Sequence, residues 1–84
     1  MKVKDTIYSF FAKREGETIL KNLDEINLIN EGILDSLGVV ELISYLEQKY
    51  EIRIDYEALD NLDFSSISEI IIFFEALIKG QEIA

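Results

Sequence analysis

The chain contains no cysteine, no histidine, no proline and no tryptophan among its 84 residues. Without cysteine it has neither a disulfide framework nor thiolate ligands for a metal, and without histidine it lacks the commonest ligand for transition metals. A serine hydrolase needs an imidazole or an equivalent base to activate its hydroxyl. We therefore expect a protein that is not an enzyme and that holds no metal ion.

Long apolar runs are also missing. No segment approaches the roughly 20 apolar residues that cross a bilayer, and residues 1–5 lack the apolar stretch of a secretory signal. A chain of 84 residues is long enough for one small core, but too short to enclose a deep catalytic cavity. We expect one cytoplasmic domain that spans residues 1–84 and does not insert into a membrane.

Basic residues are few, and the acidic excess lies in one part of the chain. The sequence has 17 acidic and 8 basic residues, for a formal net charge of −9. Segment 31–78 contributes eleven acids against two bases, Lys49 and Arg53, and so carries the whole excess. This balance argues against nucleic acid as a partner and favours a monomer that associates rapidly with basic surfaces. An acidity that only keeps a small domain soluble is the alternative.

Apolar residues recur at helical spacing, which predicts an all-α fold. The first helix is expected to end near Gly16, and residues 16–35 form a long connection whose many apolar side chains predict that it packs on the helices. A second helix is expected from about Ser36 to Tyr50, and a short third one around Tyr56 to Leu62. A capping box at Ser66-Ile67-Ser68-Glu69 opens the final helix, which is expected to stop near Gly80. The prediction is a small four-helix bundle with a long first loop and a short third helix.

The second predicted helix has an apolar inner face and a mixed outer face. Val39, Leu42, Ile43, Leu46 and Tyr50 share the inner face. The outer face combines Leu37 and Glu41 with Val40 and Glu47 on its border. Such a stripe is as compatible with plain solvent exposure as with docking, and its position beside Ser36 favours docking.

Ser36 lies where a loop is expected to end and this helix to begin. Asp35 or Ser36 is expected to cap the helix, and Asp35 is well placed against the positive end of the helix dipole. A hydroxyl at a helix N-terminus lies beside unpaired backbone N–H groups, which favour an attached phosphate. Ser36 is therefore a candidate site at which another enzyme attaches a group, and the alternative is an unmodified capping serine.

The order of these features resembles that of the acyl carrier proteins over almost the whole chain. The resemblance rests on Asp35-Ser36-Leu37 between the long loop and the acidic helix, on Glu51-Ile52-Arg53-Ile54 and on the final apolar helix. It implies a four-helix bundle in which Ser36 is esterified to 4′-phosphopantetheine by a phosphopantetheinyl transferase that uses coenzyme A. It also implies that partner enzymes with basic patches dock at Asp35, Leu37, Val40, Glu41 and Glu47.

The arm would supply the thiol that the sequence lacks. A thiol on a flexible tether can carry an acyl or aminoacyl group as a thioester and present it to several acyl-transfer enzymes in turn. Catalysis then stays with those enzymes. We also expect partial shelter of an apolar cargo between the second and last helices.

Gly38 bears on the pathway. Carriers of fatty-acid synthesis usually have an acid straight after the Asp-Ser-Leu motif, whereas residues 31–38 look closer to D-alanyl carrier proteins and other carriers loaded by adenylate-forming ligases. Those carriers typically have Phe at the position of Leu37, and many relatives have Pro at the position of Asp55. Our leading hypothesis is a stand-alone carrier of a specialised acyl or aminoacyl pathway, with fatty-acid synthesis as the alternative.

Two hypotheses come from other functional classes. One is an acidic protein-interaction module that docks a basic partner through the second helix and is never modified. The other is a calcium-binding protein, suggested by Asp55, Asp60 and Asp63. The spacing of these aspartates lacks the alternating ligands, central glycine and terminal glutamate of an EF-hand loop, so we rank this hypothesis last.

Overall fold

The computed structural model describes the backbone of residues 2–83 and the side chains of residues 2–80, and this part of the chain is all-α, without a strand. In chain order it contains α1 (Val3–Glu15), a first 3₁₀ helix (Glu17–Lys21), α2 (Ser36–Tyr50), a second 3₁₀ helix (Tyr56–Leu59) and α3 (Ile67–Ile83). The predicted fold class is confirmed. The predicted short third helix is a single 3₁₀ turn that ends at Leu59, three residues earlier than expected.

The boundaries of α1 and α2 agree with the prediction because local backbone signals set them. Gly16 follows α1 at a φ of 91°, a conformation that favours glycine, and its N–H donates to the carbonyl oxygen of Ala12. Asp35 precedes α2 and caps it, and Glu51 follows α2 in the left-handed region with a φ of 53°. Both helices therefore end where the chain leaves helical dihedral angles.

The start of α3 agrees with the predicted capping box in part. Ser66 Oγ accepts a hydrogen bond from Glu69 N at 3.3 Å, while Ser66 N donates to the carbonyl oxygen of Asp63 at 3.5 Å. The predicted stop at Gly80 is wrong, because α3 continues to Ile83. Gly80 does not adopt a positive φ, and a glycine inside a helix costs only about 1 kcal/mol relative to alanine, which one position can absorb.

The long connection between α1 and α2 packs onto the helices, as predicted. Its side chains Leu23, Leu28, Ile33 and Leu34 are buried, and they join a core formed by apolar residues of α1, α2, α3 and the segment between α2 and α3. Leu28 N donates to the carbonyl oxygen of Ser65 at 2.9 Å, which ties the loop to the segment before α3. Each fully buried aliphatic side chain contributes about 1.5–3 kcal/mol relative to exposure, so this loop is a structural layer of the core.

The inner face of α2 is buried at its centre, as predicted, and only partly buried at its ends. Leu42, Ile43 and Leu46 are fully buried, whereas Val39 and Tyr50 are half-buried. The Tyr50 hydroxyl lies 2.8 Å from Thr6 Oγ1, which joins the end of α2 to the first turn of α1. No helix in the described part of the chain has the length and apolar character needed to cross a membrane.

Tyr8 links α1 to the long loop. Its hydroxyl donates a short hydrogen bond to the carboxylate of Asp24. Burial of the tyrosine, together with this hydrogen bond and the negative charge of Asp24, raises the pKa of Tyr8 to about 12. The protonated phenol is therefore the form that the fold favours.

Replacing Tyr8 with phenylalanine should lower the free energy of unfolding by about 0.5–1 kcal/mol at neutral pH, a modest loss because the pair lies at the surface. The raised folded-state pKa means that the stability due to the hydroxyl is fully present below the unfolded value of 10.0 and is lost as pH rises towards about 12. Urea denaturation of both proteins over this range should show the difference shrinking. A difference that stays constant up to the highest pH would contradict this assignment.

Candidate functional site at the start of α2

Ser36 is the first residue of α2 and is exposed to solvent. Asp35 caps the helix, because its Oδ1 accepts a hydrogen bond from Gly38 N at 2.7 Å. The first intrahelical bond runs from Val39 N to the carbonyl oxygen of Asp35 at 2.9 Å. The Ser36 hydroxyl is therefore not needed for capping, and it projects from the turn where helix N–H groups lack helical acceptors.

The loop before α2 holds this turn in place. Gly32 has a φ of 72°, in the left-handed region, and its N–H donates to the carbonyl oxygen of Ile29. The two residues that follow, Ile33 and Leu34, are buried, and both of their N–H groups donate to the carbonyl oxygen of Leu28. Leu34 is thus buried in the core, whereas Asp35 and Ser36 are exposed. Ser36 therefore lies on the surface next to buried apolar residues that hold the loop in place.

A groove of about 410 Å³ adjoins the serine. It is lined by Ile29, Gly32, Leu34, Asp35, Ser36, Val39 and Phe64. Its apolar walls come from the long loop, from α2 and from Phe64, which precedes α3. From the sequence we expected partial shelter for a cargo between the second and last helices. The groove beside Ser36 differs from this expectation, because no residue of α3 lines it. The long loop takes that position because Leu28 is hydrogen-bonded to Ser65, next to Phe64.

The two apolar residues predicted to take part in docking are exposed next to Ser36. Leu37 keeps 66% of its surface accessible and Val40 keeps 44%. They are three residues apart in α2 and so lie on neighbouring positions of one face. The structure therefore presents a small apolar patch beside the serine, as the amphipathic pattern predicted.

The three acids predicted to take part in docking all have partners within the chain. Asp35 caps α2, Glu41 Oε2 accepts from Arg14 Nη1 at 2.8 Å, and Glu47 Oε2 accepts from Ile54 N at 2.8 Å. Sequence reasoning missed Arg14 and Ile54. The sequence indicated only that Arg14 is a basic residue near the end of the first helix. The bond from Ile54 N to Glu47 could not be predicted, because it depends on how the chain turns back after α2.

Gly38 is buried in a tight space at the first turn of α2. A Cβ atom at this position would lie 3.1 Å from Leu34 Cδ1, 3.2 Å from Asp35 Oδ1 and 3.5 Å from Arg14 Nη2. Side chains would have to move to admit any larger residue. An acidic side chain would in addition meet the capping carboxylate. Gly38 thus lets the first turn of α2 pack closely against Leu34 and Asp35.

Two of the three aspartates behind the calcium hypothesis, Asp55 and Asp63, act as local caps. Asp55 Oδ1 accepts from Glu57 N at 2.9 Å, and Asp63 Oδ1 accepts from Ser65 N at 3.0 Å. The hydrogen bonds from Ser65 lower the pKa of Asp63 below its ordinary value. Within residues 2–80, no group of three or more potential metal ligands comes together.

The chain matches a known protein family over most of its length. The model of the family described as "Phosphopantetheine attachment site" matches residues 5–74. D-alanyl carrier proteins from Streptococcus pyogenes serotype M5 (strain Manfredo) and serotype M1 are each 31% identical over 71 residues, which cover 84% of this chain and 89% of theirs. No solved structure gives a significant match.

The hydrogen bond of Glu47 predicts different effects for two substitutions. Glu47→Ala leaves the N–H of the buried residue Ile54 without its acceptor, and should lower the free energy of unfolding by about 1–2 kcal/mol. Glu47→Gln keeps an oxygen acceptor while removing the charge, and should cost about half as much or less. Urea denaturation measures both. Equal losses would show that the charge, and not the acceptor, is what the fold uses.

Proposed function

Because the chain belongs to the family of carrier proteins with a phosphopantetheine attachment site, we propose that Ser36 is the residue that carries the arm. The single observation that supports this assignment most is the position of Ser36 as an exposed first residue of α2 whose cap is supplied by Asp35. The hydroxyl is thus accessible and is not required by the fold. The prosthetic group of this carrier is 4′-phosphopantetheine.

The surroundings of Ser36 suit the product of the attachment. Ser36 Oγ would form a phosphodiester with the phosphopantetheine phosphate of coenzyme A, losing its proton while the adenosine bisphosphate part of coenzyme A leaves. The phosphodiester bears one negative charge at the N-terminal end of α2. Such a charge is stabilised there by about 0.3–1 kcal/mol at an exposed position. The arm then brings the thiol that the sequence does not contain.

We propose that the cargo is an aminoacyl group, with D-alanine as the leading candidate. The relatives at 31% identity are D-alanyl carrier proteins, and similarity to them favours a specialised aminoacyl carrier over a carrier of fatty-acid synthesis. Gly38 agrees with the same choice, because carriers of fatty-acid synthesis usually have an acid at this position. An adenylate-forming ligase would load the thiol.

We propose that partner enzymes dock on α2 beside Ser36, with the apolar pair Leu37 and Val40 at the centre of the contact. Their exposure supports this role, since both side chains can be covered without disturbing the core. Asp35, Glu41 and Glu47 would contribute negative charge at the edge, reduced by their partners within the chain. The proposed partners are a phosphopantetheinyl transferase, the loading ligase and downstream acyl-transfer enzymes. Catalysis resides in these enzymes, and the carrier acts as a cytoplasmic one-domain monomer.

Incubation with coenzyme A and a broad-specificity phosphopantetheinyl transferase tests the attachment site. Intact-mass measurement should show one phosphopantetheine group on the wild-type protein and none on Ser36→Ala. Ser68→Ala is the matched control, because Ser68 is an exposed serine in the first turn of α3, and this variant should be modified like the wild type. A modified Ser36→Ala variant would contradict the site, and an unmodified wild type would favour the acidic interaction module.

The choice of cargo is tested on the protein that already carries the arm. A D-alanine-activating ligase with ATP and D-alanine should form a thioester, seen as a mass increase that hydroxylamine removes. An acyl carrier protein synthetase supplied with a fatty acid should load the protein far more slowly. The reverse preference would point to fatty-acid synthesis.

A further inference from the structure

Arg14 extends from the last turn of α1 to α2 and lies near three residues, two of them in α2 and one in α1. Its Nη1 donates to Glu41 Oε2 at 2.8 Å, and its guanidinium lies 5.6 Å from the centre of the Phe10 ring. Its Nη2 lies beside Gly38, 3.5 Å from where a Cβ atom would stand. The guanidinium is thus positioned by an acid and an aromatic ring, and it lies next to a glycine.

This placement changes the charge of the face on which Ser36 lies. Glu41 follows Val40, one of the two exposed apolar residues beside the serine, and its side chain retains 47% of its accessible surface while paired. A partner enzyme could therefore reach the Glu41 carboxylate, but its cation would have to compete with a guanidinium already in place. An ion pair within the chain lowers the attraction that an exposed acid exerts on a basic surface.

Lys13, the neighbouring base, behaves differently. Its Nζ lies 5.5 Å from the centre of the Tyr45 ring, where Lys49 Nζ also lies at 5.7 Å. Lys13 and Arg14 therefore carry the same charge, occupy the same turn of α1 and each lie over one aromatic ring. They differ in that Arg14 is paired with Glu41. This difference provides a matched pair of residues for an experiment.

We propose that Arg14 is a specificity-determining residue of the docking surface, which acts by holding Glu41 in an ion pair. The inference rests on the proposed function, namely that partner enzymes dock on α2 beside Ser36. With Glu41 occupied, recognition depends more on Leu37 and Val40 and less on charge. Enzymes whose docking patch requires a free acid at this position bind weakly, and those that fit the apolar pair are favoured. Gly38 lies next to this ion pair, because a Cβ atom there would be in van der Waals contact with Arg14 Nη2.

The test uses a phosphopantetheinyl transferase with a basic docking patch and coenzyme A as the donor. It measures the rate at which the transferase modifies four forms of this protein. These are the wild type, Arg14→Gln, Lys13→Gln and the double variant Arg14→Gln with Glu41→Gln. Arg14→Gln should raise kcat/KM by about threefold to tenfold at low ionic strength, through a lower KM with kcat unchanged. The increase should diminish as salt rises from about 0.01 M to 0.1 M, where the screening length falls from about 30 Å to about 10 Å.

The two other variants separate a specific effect of Glu41 from a general effect of charge. Lys13→Gln makes the same change in net charge and should alter kcat/KM less than about twofold. Adding Glu41→Gln to Arg14→Gln should return the rate to that of the wild type, since the released acid is then absent. Thermal unfolding of each variant monitors the fold, because altered stability alone predicts no salt-dependent fall in KM.

The outcomes that overturn the inference are distinct from those that overturn the proposed function. Equal gains in Arg14→Gln and Lys13→Gln, or a gain that persists in the double variant, would show that Glu41 is not what Arg14 controls. Equal rates for all four proteins would also overturn the role of Arg14 while leaving Ser36 as the attachment site. A wild type that never accepts the arm would overturn the proposed function and this inference together.

Discussion

The hydrogen bond from Gly38 N to the Asp35 carboxylate determines where α2 begins, and the rest of the site depends on that position. One residue earlier the chain is buried at Leu34, and one residue later Ser36 is exposed. A shift of the cap by a single residue would rotate the helix by about 100°, and would move the serine, the apolar pair and the acids to other faces. The cap therefore sets the register on which the proposed attachment and the proposed docking both rely.

The same carboxylates serve the fold and the surface that partners are proposed to use. Asp35 begins a helix, Glu47 pairs the N–H of a buried isoleucine, and Glu41 holds an arginine from another helix. In a chain with a net charge of −9, an acid with an intramolecular partner attracts a basic surface less than a free one does. The number of acids therefore overstates how strongly this face attracts a basic surface. The exposed apolar pair Leu37 and Val40 would then contribute a larger share of the binding energy.

The architecture fits a carrier, because the reactive thiol belongs to the prosthetic group and not to a side chain of the protein. The core is filled by the three α-helices, by the long loop and by the segment between α2 and α3, and the groove beside Ser36 opens to solvent. A small aminoacyl group on a flexible arm needs no deep cavity, whereas it does need a fixed attachment point and an accessible surface around it. The buried loop would supply a fixed point at the proposed site, since Ile33 and Leu34 anchor the turn that precedes the serine.

The sequence by itself determined the elements whose signals are local. Gly16, the acid before Ser36 and the capping serine before α3 each mark a boundary within a few residues, so the all-α class, the bounds of α2 and the candidate serine could be predicted. Only the tertiary structure decided what depends on distant residues. Arg14 reaches Glu41 across 27 positions, and the groove at Ser36 is completed by Phe64 instead of α3. It also decided that α3 runs past Gly80, because a glycine stops a helix only where the chain turns to a positive φ.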